Sequence, residues 1–371
     1  MVRSAIDIFL SVALPKRPTR PVLSLDFKTH FRCSVRLTHL SHLYSANVVH
    51  HSRATLLAFT ISAVISSFPL PSFLHSQNSL LTPLTPLSQW IMGLGAFKTA
   101  WWRQTRHFGH TNAPVYTSLV FDNRGMGASD KPMARYSTLE MARDVLDLLN
   151  SRSINWKDRR QLNIVGASMG GMIAQELALL IPERIASLTL ISTAPKLVNE
   201  VGFVRNLRDR INMFVPRDAD VQLADTKRRL FAPEFLEEPD AEAYVDSEGN
   251  RHGWPTNGDR FAAGELTKRQ DMKGFTRKGF VLQAIAAGWH HKSDEQLRDL
   301  ADRVGRERIC LAHGTADGMI TFTHAGLLKK GLGEGVEFKV FEGKGHMLPW
   351  EVRDELNALV EGMVEKSKTL G

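Results

Sequence analysis

Gly166-Ala167-Ser168-Met169-Gly170 sets a serine between two glycines. Short apolar residues ending in Ile164-Val165 precede it and Ala174-Gln175-Glu176-Leu177-Ala178-Leu179-Leu180 follows. The order reads strand, tight turn, helix, a setting that holds a serine on a strained turn with its hydroxyl exposed. The glycines have a steric reason, because side chains at Gly166 and Gly170 would collide where strand and helix approach. A serine hydroxyl is a weak nucleophile near neutral pH. It needs a base to take its proton, an acid to orient that base, and donors for the oxyanion.

His346 is the candidate base. It follows the alternating run Val336-Glu337-Phe338-Lys339-Val340-Phe341 and sits in the turn Gly343-Lys344-Gly345-His346. With 14 histidines in the chain, most are expected to be structural, and position after a strand selects this one. Asp317 is the candidate acid, at the end of Gly314-Thr315-Ala316-Asp317. Its carboxylate could fix the imidazole tautomer and stabilise the imidazolium. The rival reading is a turn aspartate serving its own backbone. Asp122 and Asp130 precede the serine, and Asp122 reads as a turn residue or a partner of Arg124. The chain order is Ser168, Asp317, His346.

The oxyanion donors are expected to be backbone N–H groups. One is Met169, at a helix start where the dipole helps. The other is Leu94, in Gly93-Leu94-Gly95. No cofactor is expected. His50-His51 and His290-His291 lack zinc-site spacing, and Gly93-x-Gly95 lacks the third glycine of a dinucleotide fingerprint.

Val115–Phe121, Leu162–Val165 and Ala186–Ile191 read as strands. A helix opened by Ser137-Thr138-Leu139-Glu140, a capping box, and the helix Met172–Leu180 alternate with them. β-α-β-α-β order argues for a parallel sheet with helices on both faces. Residues 196–305 break that rhythm. Phe203–Phe214, Leu223–Phe231 and Gly279–Trp289 carry apolar residues at helical intervals, with polar, turn-rich Asp246–Asp259 between. Insertions at a strand's carboxyl end overlie the site in open α/β sheets, so this block reads as a helical lid. Within it Trp254, Trp289, His290 and His291 are expected in core or surface roles rather than in a pocket. The sheet resumes at Arg308–Gly314, and a helix from about Trp350 to Lys366 closes the chain.

Residues 1–90 differ in kind. They hold no glycine and no glutamate, and all 27 glycines come later. They also carry +6 of the +8 net charge, so the remainder is near neutral and a nucleic-acid surface is not expected. This segment reads as a disordered or non-native leader. A mitochondrial transit segment and an anchor over Ala54–Phe68, short for a membrane span, are the alternatives. Two cysteines make no disulfide framework and point to a reducing compartment, the cytoplasm by default.

Met92–Gly95, Asp122–Ser129, Gly166–Gly171, Gly314–Asp317 and Gly345-His346 together make the chain resemble the α/β-hydrolase superfamily, in its lidded esterase-like group. The resemblance implies an eight-stranded, mostly parallel sheet in residues 91–195 and 306–371, a lid over 196–305 after strand six, and hydrolysis through an acyl-serine. The near-neutral folded part and its lid suit an ester or related acyl compound of a small apolar molecule better than a polyanion. Peptidase, lactonase, thioesterase and carbon–carbon hydrolase activities use the same triad, and a non-catalytic binding protein is the rival class. Serine at the elbow in place of aspartate disfavours dehalogenase and epoxide hydrolase chemistry. Family members carry a β-hairpin before the oxyanion loop. Here Pro83 and Pro86 limit any strand in that place to a few residues, and the glycine-free leader offers no evident hairpin turn. If residues 1–90 supply no strands, one sheet edge is incomplete and Leu94 is misplaced. Oligomeric state stays open.

Overall fold

The structure is a computed structural model. It describes residues 86–151, 154–198 and 218–370 and, as strands without their side chains, 33–36, 43–51 and 56–64. One sheet of nine strands organises it. In chain order these are β1 (Cys33–Arg36), β2 (Leu43–His51), β3 (Leu56–Val64), β4 (Leu87–Ile91), β5 (Thr117–Phe121), β6 (Leu162–Ala167) and β7 (Ile185–Ile191). A two-stranded hairpin, β8 (Tyr244–Val245) and β9 (Arg251–His252), stands apart. The main sheet ends with β10 (Ile309–Gly314) and β11 (Glu337–Phe341).

Across the sheet the order is β1-β2-β3-β5-β4-β6-β7-β10-β11. The six strands from β5 to β11 pair parallel. Every residue of β4, β5, β6, β7 and β10 is buried, the burial expected of parallel strands covered on both faces.

The N-terminal edge departs from expectation. β1, β2 and β3 form an antiparallel meander that joins the parallel strands through β3 and β5. Residues 1–90 therefore supply edge strands. The turn between β2 and β3 lies outside the described residues. β3 also takes up most of the apolar run weighed as an anchor. Among the described residues no helix is long and apolar enough to cross a membrane. β4 begins directly after Pro86 and runs five residues, as the prolines required. The sheet has one strand more than the eight implied, so the insertion follows β7, the seventh.

Helices cover both faces. On one side α1 (Thr138–Asn150) and α2 (Met169–Leu180) pack in the largest apolar cluster, with Met141, Leu148, Ile173 and Leu177 fully buried. Ser137 accepts a hydrogen bond from Glu140 N–H, but the Glu140 carboxylate turns to Arg143, so only half of the capping box forms. On the other side Trp90, Trp101, Phe108 and the closing helix meet in a second cluster.

The insertion holds α3 (Ala219–Leu230), α4 (Pro233–Glu237), α5 (Asn257–Gln270), α6 (Arg277–Gly288) and α7 (Asp294–Val304). Phe231, Phe235 and Phe261 give it a small core of its own. The helix expected at Phe203–Phe214 lies outside the described residues. Leu297, Leu300 and Val304 of α7 join the main core, as do Ala286 and Ala287 of α6. The last helices are α8 (Phe322–Leu332), α9 (Leu348–Glu351) and α10 (Arg353–Thr369).

Candidate active site

Parallel strands deliver their carboxyl ends to one edge. Ser168 follows β6, Asp317 follows β10 and His346 follows β11 at that edge.

Ser168 is held with φ 57° and ψ −124°, outside the ordinary regions for a side-chain-bearing residue. Such a conformation costs on the order of 1–3 kcal/mol and survives only where its surroundings impose it. Here they do. Ser168 N–H donates to the Ile191 carbonyl at 2.9 Å, and the Ser168 carbonyl accepts from Gly171 N–H at 2.9 Å and Thr193 Oγ1 at 2.7 Å. A Cβ on Gly166 would come 2.5 Å from the Gly170 carbonyl oxygen. Ser168 itself is half-buried.

Asp317 is buried and its carboxylate is crowded with donors. Oδ1 accepts Met319 N–H and Ile320 N–H, each at 2.8 Å. Oδ2 lies 2.7 Å from His346 Nδ1. Burial works against the charge, but His346 and a second imidazole outweigh it and hold the carboxyl at about 2. An ionised Asp317 makes Nδ1 of His346 the protonated nitrogen and leaves Nε2 as the basic one. The two loops are tied together, with Ala316 N–H donating to the Lys344 carbonyl at 2.9 Å. Asp317 is thus both a turn aspartate and a partner of His346, so the two readings of it are not exclusive. Ser168 Oγ and His346 make no hydrogen bond to each other.

The Gly93–Gly95 loop lies against the serine. A Cβ on Gly93 would stand 2.9 Å from Ser168 Cβ and 3.4 Å from Oγ. Asn123 Nδ2 donates to the Met92 carbonyl at 2.8 Å, and Gly95 N–H donates to Gln283 Oε1 at 2.9 Å. Gly95 N–H is thus engaged by Gln283, and Leu94 lies between it and Gly93. Met169 opens α2, so its own amide has no carbonyl a turn back in the helix to bond.

The other residues singled out from sequence go elsewhere. Asp122 closes its turn, accepting from Lys98 N–H at 2.6 Å and Ala128 N–H at 3.1 Å. Arg124 pairs not with Asp122 but with Asp144, through two contacts of 2.5 Å. His290 is buried against Thr138 at 2.9 Å, and burial pushes its pKa down to about 3. Trp289 and His291 are exposed and Trp254 is half-buried. A cavity of about 730 Å³ borders Thr315, Asp317, Phe322 and Lys330, but not Ser168.

Sequence reasoning missed four residues that hold this edge together. They are Asn123, Gln283, His313 and Glu351, whose Oε1 accepts Gly345 N–H at 3.0 Å. Only His313 had a signal, since it precedes Asp317 by four residues.

A model of the alpha/beta hydrolase fold matches residues 91–351. The dihydrolipoyllysine-residue acetyltransferase component of the acetoin cleaving system of Cupriavidus necator is 26% identical over 258 residues, 67% of this chain and 56% of that protein. The 3-oxoadipate enol-lactonase 2 of Acinetobacter baylyi is 28% identical over 145 residues, 39% of this chain and 49% of its own. The chain spans about half the length of these curated relatives. Among solved structures, a hydrolase from Pseudomonas aeruginosa PA01 aligns with a TM-score of 0.60 at 20% identity, covering 87% of this chain and 98% of that one. The enol-lactonase from Burkholderia xenovorans LB400 aligns at 0.58 and 18%, covering 85% and 99%. At these identities the likeness to solved structures is one of fold.

Proposed function

The chain belongs to the alpha/beta hydrolase family, and from that premise we propose that it is a serine hydrolase cleaving an ester or related acyl bond of a small apolar substrate. The observation that carries the reading is the 2.7 Å contact of His346 Nδ1 with Asp317 Oδ2, at the sheet edge that also bears the strained Ser168.

In this mechanism Ser168 Oγ attacks the acyl carbon while His346 Nε2 takes its proton. Asp317 keeps the imidazole in the required tautomer and stabilises the imidazolium. The tetrahedral oxyanion accepts hydrogen bonds from Leu94 N–H and Met169 N–H. His346 then gives its proton to the leaving group, the carbonyl reforms, and the acyl group stays on Ser168. Water, deprotonated by His346, attacks that ester and returns the free serine and the carboxylic acid.

Lactones belong in the substrate panel, because one relative is named an enol-lactonase and a lactone is an internal ester. Peptide, thioester and carbon–carbon bonds complete it, since the same triad serves them. We assign the protein to the cytoplasm on its cysteine usage, with a mitochondrial address as the alternative.

A fluorophosphonate probe tests the reading. It should label the wild type and leave Ser168→Ala unlabelled, with both proteins folded by circular dichroism. A folded wild type without Ser168-dependent labelling would overturn the reading in favour of a hydrolase-like binding protein.

A further inference from the structure

Asp317 Oδ2 has two imidazoles on it. His346 Nδ1 lies at 2.7 Å and His313 Nε2 at 3.2 Å. His313 sits on β10 and is 2% exposed. Its Nε2 also lies 2.8 Å from the Ile320 carbonyl oxygen. A carbonyl and an ionised carboxylate are both acceptors, so Nε2 of His313 must carry the proton and share it between them. The Asp317 carboxylate therefore accepts from Met319 N–H, Ile320 N–H and His346 Nδ1–H, with His313 Nε2–H a further donor 3.2 Å from Oδ2.

We propose that His313 is a positioning residue that sets the basicity of His346 by sharing Asp317 Oδ2 with it. The proposal rests on the roles assigned above to Ser168, Asp317 and His346. Each donor draws negative charge from the carboxylate and leaves less to stabilise the His346 imidazolium. His313 also fixes the carboxylate plane, so that Oδ2 stays aimed at Nδ1. Its burial means that water does not replace the donor once it is lost. The other charged groups acting near this pair are Glu351, which senses Asp317, and Lys344 beside Glu351. Neither donates to Oδ2.

The competing role is structural, with His313 merely tethering the Ile320 carbonyl and closing the 317–320 turn. That role would change stability but not the titration of His346. The experiment is the pH dependence of the fluorophosphonate inactivation rate between pH 5 and 9, for wild type, His313→Leu and His313→Gln. Leucine removes the donor, while glutamine offers an amide N–H close to the ring position. His313→Leu should move the acid limb up by about half to one pH unit, the equivalent of one neutral hydrogen bond. His313→Gln should restore the wild-type limb. A folded His313→Leu with the wild-type limb would overturn the proposal.

Should the leucine variant not fold, nitrogen NMR of the histidine side chains in the wild type and Asp317→Asn decides. A His313 Nε2–H signal that shifts on Asp317→Asn supports the shared bond, and a bare Nε2 or an unmoved signal overturns it. Absent Ser168-dependent labelling brings down the proposed function instead. The NMR titration of His346 in wild type against His313→Gln and His313→Leu still tests the coupling, and an unmoved His346 in both variants overturns it.

Discussion

Gln283 and Gly95 stand 188 positions apart and are joined by a buried 2.9 Å hydrogen bond from Gly95 N–H to Gln283 Oε1. The same amide group donates through Nε2 to the Arg124 carbonyl at 2.8 Å. One side chain of the inserted helix α6 thus braces two loops at the edge that carries Ser168. Gln283→Leu is expected to leave Gly95 N–H buried without a partner, at a stability cost of about 1–3 kcal/mol. It should also slow ester hydrolysis by about 10-fold or more, short of the 10²–10³ lost when an oxyanion donor is removed outright. Thermal melting and steady-state rates on one ester check both. An unchanged rate would separate the brace from the chemistry.

Gly93 is the position where a single methyl group reaches the nucleophile. Gly93→Ala places its Cβ 2.9 Å from Ser168 Cβ and 3.4 Å from Oγ. The serine or the loop has to give. Labelling of Ser168 is expected to fall by about 10²-fold, the usual penalty for misplacing a reacting group by an ångström. The comparison is the pseudo-first-order labelling rate against wild type, with circular dichroism establishing that the fold survives.

Asp317→Asn should lower kcat by about 10⁴, because an amide no longer selects the Nδ1–H tautomer of His346. A stability effect accompanies it. Burial opposes the Asp317 charge, but His346 and His313 hold the folded-state value at about 2, below the unfolded value of about 3.9. A depressed carboxyl adds stability above the unfolded value and loses it as pH falls through the folded one. Between pH 4 and 2 the wild type should therefore lose more stability than the asparagine variant. Urea midpoints at pH 6, 4 and 2 measure the difference.

Glu351 predicts the opposite sign. Burial raises its carboxyl to about 7, although Gly345 N–H and Ala232 N–H pull the other way. A carboxyl that binds its proton more tightly when folded loses stability as pH climbs from the unfolded value of about 4.3 to the folded one. Glu351→Gln keeps an acceptor for both amides and removes that loss. Its melting temperature should exceed the wild type's at pH 8, with the gap closing by pH 5. A constant gap across that range would show that the carboxyl is not the titrating group.

The elbow was legible in the chain because its requirements are local. Gly166 and Gly170 stand where strand and helix nearly touch, and that crowding sits within five residues of sequence. The parallel core was legible because buried strands and amphipathic helices alternate at readable periods. The N-terminal edge was not. β1, β2 and β3 are held by backbone pairing, which glycine-free segments make as well as any other.

The sequence by itself determined the order Ser168, Asp317, His346, and that each follows a strand. Residue type and local pattern suffice for that, because parallel strands bring their carboxyl ends to one edge. Only the tertiary structure decided which donors meet which acceptors there. Gln283 takes Gly95, Glu351 takes Gly345, and His313 joins His346 on Asp317 Oδ2. Backbone amides and carboxylates accept many partners, so no spacing in the chain encodes the choice. It is made by packing, which buries these groups away from water and leaves each only the neighbour that the fold supplies.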